Sequence, residues 1–519
     1  MAQPLQIFAI AAPGFFGLNT QDSPLDLAAG FALNATNCII DQYGRIGSRK
    51  GYAKVNSSSG SLGSNEVQAL HELIESDGTS TVLFAANNKL FKLNSSNAVV
   101  ELTYGGGGSA PTITANNWSI ATLNNIAYFF QTGHDPLIYD PAVSNTTYRR
   151  VSEKTGYSGT VPSANIALSA YGRLWVANTS TNKVTLSFSD LLAGHIWDTG
   201  TAGSLDVSRV WGEGVDEIQA LASHNGYLFI FGKNQILVYK NATTPADLVI
   251  DDAIIGTGCI ARDSVKSIGT DVLFLSNTGI RSLLRTIQEK SLPFRDLSKN
   301  VRNDLMNIVS GEDLTKIKSV FSERNAFYLI TLPSVKQIYC FDTRGQLQDG
   351  SSRVTVWNSI DPKALYSKAN GDLLLGKTGY VMKYTGYQDD GSSYRMQYYT
   401  NYADLGNVSQ TSVLKRISIV VIGGTNQYVT FKWAFDLSSN YLSDNAQIPT
   451  QGISEYGIAE YGANGSPVAY YSNGQLIQTL TVSGTGTGKL IQTGYESDIN
   501  GAALSIQKIE IQAKNGKLS

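Results

Sequence analysis

Residues 218–240 read IQALASHNGYLFIFGKNQILVYK. An apolar stretch stops at Asn225-Gly226, an apolar run follows from Tyr227 to Phe231, and Gly232-Lys233-Asn234 turns the chain into a third run ending in Tyr239. Short apolar runs separated by Asn and Gly are the pattern of antiparallel strands joined by tight turns. Six more segments follow the same plan, starting at Leu70, Trp118, Ala167, Ile260, Ile317 and Ala364. Their central runs align on Leu83, Tyr128, Leu174, Leu228, Leu273, Tyr328 and Leu374, so the steps are 45, 46, 54, 45, 55 and 46 residues. A step of this size holding three or four short strands is what a β-propeller blade requires. A parallel α/β sheet would need a helical crossover in each step, and none is visible.

Around this repeat the composition agrees. Of 519 residues only 16% are charged, against roughly 25% in ordinary soluble proteins, while 50 are Gly and 27 are Tyr. This mixture disfavours helices and excludes a helical bundle, a coiled coil and a disordered chain. Forty Lys and Arg against 42 Asp and Glu leave a formal charge of −2, which does not support tight wrapping of nucleic acid. Cys38, Cys259 and Cys340 are odd in number and far apart, so neither a disulfide framework nor a zinc site is readable. That usage fits folding in a reducing cytoplasm. The apolar run from Ile7 to Ala12 lacks a basic start and is interrupted by Pro13, Gly14 and Gly17. It is read as neither a signal peptide nor a membrane span.

The fold expected is all-β: a β-propeller of six or seven blades with an additional C-terminal β-sandwich-like domain. Residues 1–59 are expected to form an extended N-terminal arm, 60–386 the propeller, and 387–519 the C-terminal β domain, with insertions near 187–216 and 284–312. The ring can be closed by a strand from the C-terminal domain or from either terminus. Within the second insertion Leu297, Val301, Leu305 and Ile308 recur at helical spacing, which predicts a helix packed on the propeller flank. After Tyr387, strand-like runs begin near Tyr394, Val413, Gln427, Lys489 and Leu504.

Several motifs tempt without context. Residues 371–378, GDLLLGKT, match the phosphate-loop pattern, but that loop must open a helix, and here both flanks read as strands of a blade hairpin. GHIWD at 194–198 sets GH beside WD once, unlike recurring WD repeats. His71, His134, His195 and His224 lack metal-ligand spacing. Asp206, Asp216, Glu217 and Asp271 are the acids that could serve a glycoside-hydrolysing propeller, although nothing in their spacing makes them converge. No catalytic, cofactor-binding or metal-binding residue is assigned, and no cofactor is expected.

Residues 17–52, GLNTQDSPLDLAAGFALNATNCIIDQYGRIGSRKGY, resemble the N-terminus of tail nozzle (tail tubular protein B-like) proteins of short-tailed bacteriophages. The matching positions are Asn34, Asn37, Gly44, Arg45, Arg49, Gly51 and Tyr52. The segments VTLSFSDLLAGHIWDTG, EIQALASHNGYLFIFGKNQILVYK and GTGCIARDSVKSIGTDVLFLSNTGIRSL are similar to the same group, so the resemblance runs over about residues 20 to 390; the C-terminal domain matches it less closely. It implies a structural virion protein, not an enzyme, that forms a six-fold homo-oligomeric ring, extends the tail tube and conducts DNA during ejection. The implied partners are other tail proteins such as the adaptor and tail fibres, with transient, non-specific DNA passage and no membrane insertion. The implied location is the virion tail, assembled in the host cytoplasm. The alternatives are a hub propeller that binds a host surface or tail fibres through rim loops such as 187–216, and a glycan-hydrolysing propeller.

Overall fold

Asn225 and Gly226 both take positive φ, 48° and 83°, between the paired residues His224 and Tyr227. Asn124-Asn125 and Tyr171-Gly172 do the same between Leu123 and Ile126 and between Ala170 and Arg173. Two consecutive left-handed residues give the hairpin turn whose twist matches that of the strands it joins. The repeated Asn and Gly therefore set the register of successive hairpins. The computed structural model describes residues 5–114, 117–283, 296–404, 410–448 and 477–518.

Seven such sheets surround one axis. Blade 1 comprises Val67–Ile74, Ser80–Ala86, Lys89–Leu93 and Val99–Tyr104; blade 2 comprises Ser119–Leu123, Ile126–Phe130, Leu137–Tyr139 and Thr147–Arg150. Blade 3 is Ala164–Ala170, Arg173–Thr179, Thr185–Phe188 and Gly203–Asp206, and blade 4 is Ala220–His224, Tyr227–Phe231, Gln235–Lys240 and Val249–Ile255. Blade 5 shows Lys266–Ser267, Val272–Ser276 and Gly279–Ser282, and blade 6 Ser319–Ser322, Phe327–Leu332, Gln337–Asp342 and Val354–Trp357. Blade 7 has Ala364–Ser367, Leu373–Lys377, Tyr380–Tyr384 and, from the other end of the chain, Tyr52–Lys54. All seven alignment anchors fall on the second strand of a blade. The phosphate-loop match is the hairpin between Leu373–Lys377 and Tyr380–Tyr384, and Lys377 Nζ donates to the Tyr52 hydroxyl at 2.7 Å.

These second strands are buried on both faces, because each sheet is sandwiched between two others. In blade 4, Leu228 and Ile230 share a core with Trp175 and Leu186 of blade 3. The alternate residues Phe229 and Phe231 pack with Phe274 of blade 5, where the rings of Phe231 and Phe274 lie 5.1 Å apart. Period-2 alternation thus serves two neighbours at once, and each large side chain contributes about 1.5–3 kcal/mol on burial. The ring closes where Ala364–Ser367 of blade 7 packs beside Val67–Ile74 of blade 1.

The N-terminal segment departs from the expected extended arm. Leu5–Ala11 pairs with Leu504–Leu518, Cys38–Ile40 and Ile46–Ser48 join that same sheet, and Phe31–Thr36 pairs with Tyr394–Thr400. Tyr52–Lys54 supplies the fourth strand of blade 7, so the ring is closed from the N-terminal side and not from the C-terminal domain. An unpaired strand edge is costly, and each of these short strands completes an edge made by a distant part of the chain.

The C-terminal region forms two facing sheets. One holds Gln410–Gly423, Leu504–Leu518 and Ile477–Ser483; the other holds Tyr394–Thr400, Leu490–Ile499, Gln427–Phe435 and Leu442–Ile448. The second continues through Phe31–Thr36 and Gly17–Leu18 into Val354–Trp357 of blade 6. Ile417, Ile419, Phe431, Trp433 and Tyr495 fill the space between them, in one core with Leu273 and Tyr328 of the propeller. The insertion helix spans Arg302–Ser310; Leu305 and Val309 face that core together with Leu297 and Val301, while Ile308 is only half-buried. Residues 284–295 of the same insertion lie outside the described residues.

Candidate functional site

Four of the seven family-like positions meet at one buried node. The Arg49 guanidinium is 0% exposed; Nη1 and Nη2 donate to the two carboxylate oxygens of Asp389 at 2.8 and 2.7 Å. Nη2 also donates to Ser359 Oγ, Nε donates to Asn37 Oδ1 at 3.1 Å, and the ring of Tyr394 lies 3.9 Å from the guanidinium carbon. Asn37 in turn donates to Asn358 Oδ1 at 2.7 Å and to the Arg395 carbonyl at 2.9 Å. Gly51 is required because a Cβ there would stand 1.8 Å from the Gln388 carbonyl oxygen. Tyr52 follows on the closing strand; burial, with Asp389 adding to it, pushes its hydroxyl up to about 12. A forked pair whose polar atoms are all satisfied ties together blade 7, the blade 6–7 connection and the first strand of the C-terminal domain. The other three positions lie apart. Asn34 accepts from Thr36 Oγ1 at 2.6 Å. Gly44 and Arg45 belong to the turn between Cys38–Ile40 and Ile46–Ser48, where the guanidinium sits 4.1 Å from the Tyr43 ring.

The acids considered for glycoside hydrolysis hold local partners. Asp206 accepts from the Ser208 N–H, and Asp216 from the N–H groups of Glu217 and Asn234. Glu217 pairs with Lys233 at 2.9 Å, and Asp271 accepts from the Val272 N–H and from Ser282. Among the described residues no cluster of His, Cys, Asp and Glu is arranged to hold a metal ion. No helix among them is long and apolar enough to cross a membrane.

Sequence reading missed the propeller axis. The inner strands of all seven blades enclose a cavity of about 280 Å³, and a wider hollow of about 510 Å³ opens at one mouth among Asn117, Asn165, Asn178, Lys183 and Lys233. Arg262, at the entrance to blade 5, spans this mouth. Its Nη1 donates to Asn165 Oδ1 on the inner strand of blade 3 at 2.8 Å, and its Nη2 to Asn117 Oδ1 and the Trp118 carbonyl beside blade 2, each at 2.7 Å. Its Nε donates to Asp263 Oδ1 at 2.6 Å, and Lys318 Nζ donates to Asp263 Oδ2 at 2.5 Å. Burial alone would raise the Asp263 carboxyl; Arg262 and Lys318 outweigh it and hold the group well below the usual carboxylate range. Nothing in CIARDS marks this role in advance, since the partners lie 97 and 145 residues away.

On the cavity wall His71 meets Thr122 Oγ1 at 2.6 Å, and its ring packs edge-on to Tyr366. Burial pushes His71 down to about 4, against a weaker upward pull from Glu72. The folded protein keeps this ring neutral, whereas the unfolded chain takes up a proton near pH 6.5. Its stabilising contribution is therefore complete above about pH 6.5 and is lost as the pH falls towards 4. A fall of roughly 1–3 kcal/mol over that interval is expected in urea titrations, and His71→Gln should flatten it.

No family model and no curated protein matches the chain. Solved structures show likenesses of shape at low identity. The extracellular domain of BT4673 from B. thetaiotaomicron has a TM-score of 0.40 at 11% identity, covering 90% of this chain and 62% of that one. The chain thus spans less than two thirds of that domain's length. Virginiamycin B lyase from Staphylococcus aureus has a TM-score of 0.35 at 11% identity, covering 63% of this chain and 96% of its own. The WD40 β-propeller domain of Doa1 has a TM-score of 0.38 at 10% identity, covering 64% and 96%. The chain is a β-propeller with a second β domain, on the strength of its own seven blades and the two sheets beside them.

Proposed function

We propose that the chain is a structural subunit of the tail nozzle of a short-tailed bacteriophage, assembling into a six-fold ring that extends the tail tube. The observation that carries this reading is the ordered resemblance over residues 17–52, in which Asn37, Arg49, Gly51 and Tyr52 share one buried node. These positions lock the N-terminal segment between the propeller and the C-terminal sheets.

On this reading DNA passes through the lumen enclosed by the ring of copies; the propeller's own axis is spanned by Arg262. A wall with few basic residues lets a polyanion slide without holding its phosphates. Low charge with many Tyr suits large permanent contacts between subunits, and a head-to-tail contact closes when its rotation divides the circle. Mass photometry of the purified chain and electron microscopy of particles test the reading. A six-membered ring at the tail tip is expected. A chain that stays monomeric at every concentration and is absent from particles would overturn it.

A further inference from the structure

The axial cavity carries an unbalanced charge. Arg262, Lys266 and Lys318 line it against a single carboxylate, Asp263. Arg262 and Lys318 spend their donors on Asp263, Asn117, Asn165 and the Trp118 and Thr315 carbonyls. Lys266 lies on the inner strand of blade 5, where its backbone pairs with Leu273, and its ammonium makes no hydrogen bond or ion pair with any described residue. Inner strands also present one open edge each to the axis, and unpaired N–H groups along such edges attract anions.

We propose that the axial cavity binds one small oxyanion of the phosphate type, seated against Lys266. A half-buried ammonium beside two further cations and a single carboxylate is costly without an added counter-charge. Burial accordingly pushes Lys266 below the usual lysine range, and Asp263 only partly offsets that push while Arg262 and Lys318 add to it. The remaining titratable neighbours on the wall, His71 and Tyr366, supply no negative charge near neutral pH: burial lowers the imidazole and raises the phenol. At about 280 Å³ the cavity has room for a small oxyanion together with several waters, each of which takes up about 30 Å³. The inference is independent of ring assembly, since every residue it uses belongs to one chain.

Calorimetric titration of the purified chain with inorganic phosphate, at ionic strength held constant with chloride, tests it. One phosphate per chain is expected, together with a higher Tm than chloride produces. Lys266→Met should weaken binding by about tenfold or more, the worth of a charge-assisted hydrogen bond. The same variant should melt higher than the parent when phosphate is absent, because an unpaired, half-buried charge crowded by Arg262 and Lys318 has gone. Lys233→Met at the mouth, already paired with Glu217, should bind within about twofold of the parent. Two results would overturn the proposal: no saturable phosphate binding by the parent chain, or undiminished binding by Lys266→Met. If Lys266→Met does not fold, the parent's phosphate-specific Tm rise decides the matter, and its absence is equally fatal.

Discussion

A chain lacking residues 1–59 is expected to aggregate or to lose cooperative melting. The truncation strips Tyr52–Lys54 from blade 7 and leaves the edge of Tyr380–Tyr384 bare. It also removes Leu5–Ala11, Cys38–Ile40 and Ile46–Ser48 from the sheet around Leu504–Leu518. Ile10, Phe15, Leu18, Ile40 and Ile46 leave the largest core of the molecule with them. At about 1.5–3 kcal/mol each, those five side chains contribute roughly 10 kcal/mol, comparable with the 5–15 kcal/mol by which whole domains are stable. Size-exclusion chromatography and circular dichroism melts read the outcome. A soluble truncated chain melting within a few degrees of the parent would mean that the segment is the peripheral arm suggested by its sequence.

Arg49→Met is expected to cost about 3–5 kcal/mol, because removing one partner of a buried ion pair strands the other. Both Asp389 oxygens lose their guanidinium donors, and Asn37 Oδ1 loses Nε. Replacing the pair together, with Arg49→Met and Asp389→Leu, should recover part of the loss, since paired apolar groups leave no orphaned charge. Urea unfolding at unchanged m-value measures both variants. A cost below about 1 kcal/mol for Arg49→Met would place the pair among screened surface bridges and remove the node from the account of how the two domains are joined.

The propeller was legible because its signals are local. Apolar runs such as 227–231 recur seven times, and turn pairs such as Asn225-Gly226 act within a few residues of the strands they join. Long strands of the second domain, such as Gln427–Phe435, were legible by the same alternation. Leu442–Ile448 was not: LSDNAQI is mostly polar and exposed, and it is a strand because Gln427–Phe435 offers it an edge. The shortest N-terminal strands escaped for a related reason. Runs of two or three residues, such as Gly17–Leu18 and Tyr52–Lys54, carry no measurable period.

Turn chemistry and period-2 alternation were therefore enough, read along the chain alone, to give a propeller of six or seven small antiparallel sheets and a second all-β region; the fold decided the count. Folding decided the rest: which strand closes the ring, how the N-terminal segment threads two sheets, and which charges meet. Arg49 and Asp389 are 340 residues apart, and Arg262 reaches partners on the far side of the axis. Such pairings depend on where the sheets come to lie in space, and no local preference of backbone or side chain encodes that position.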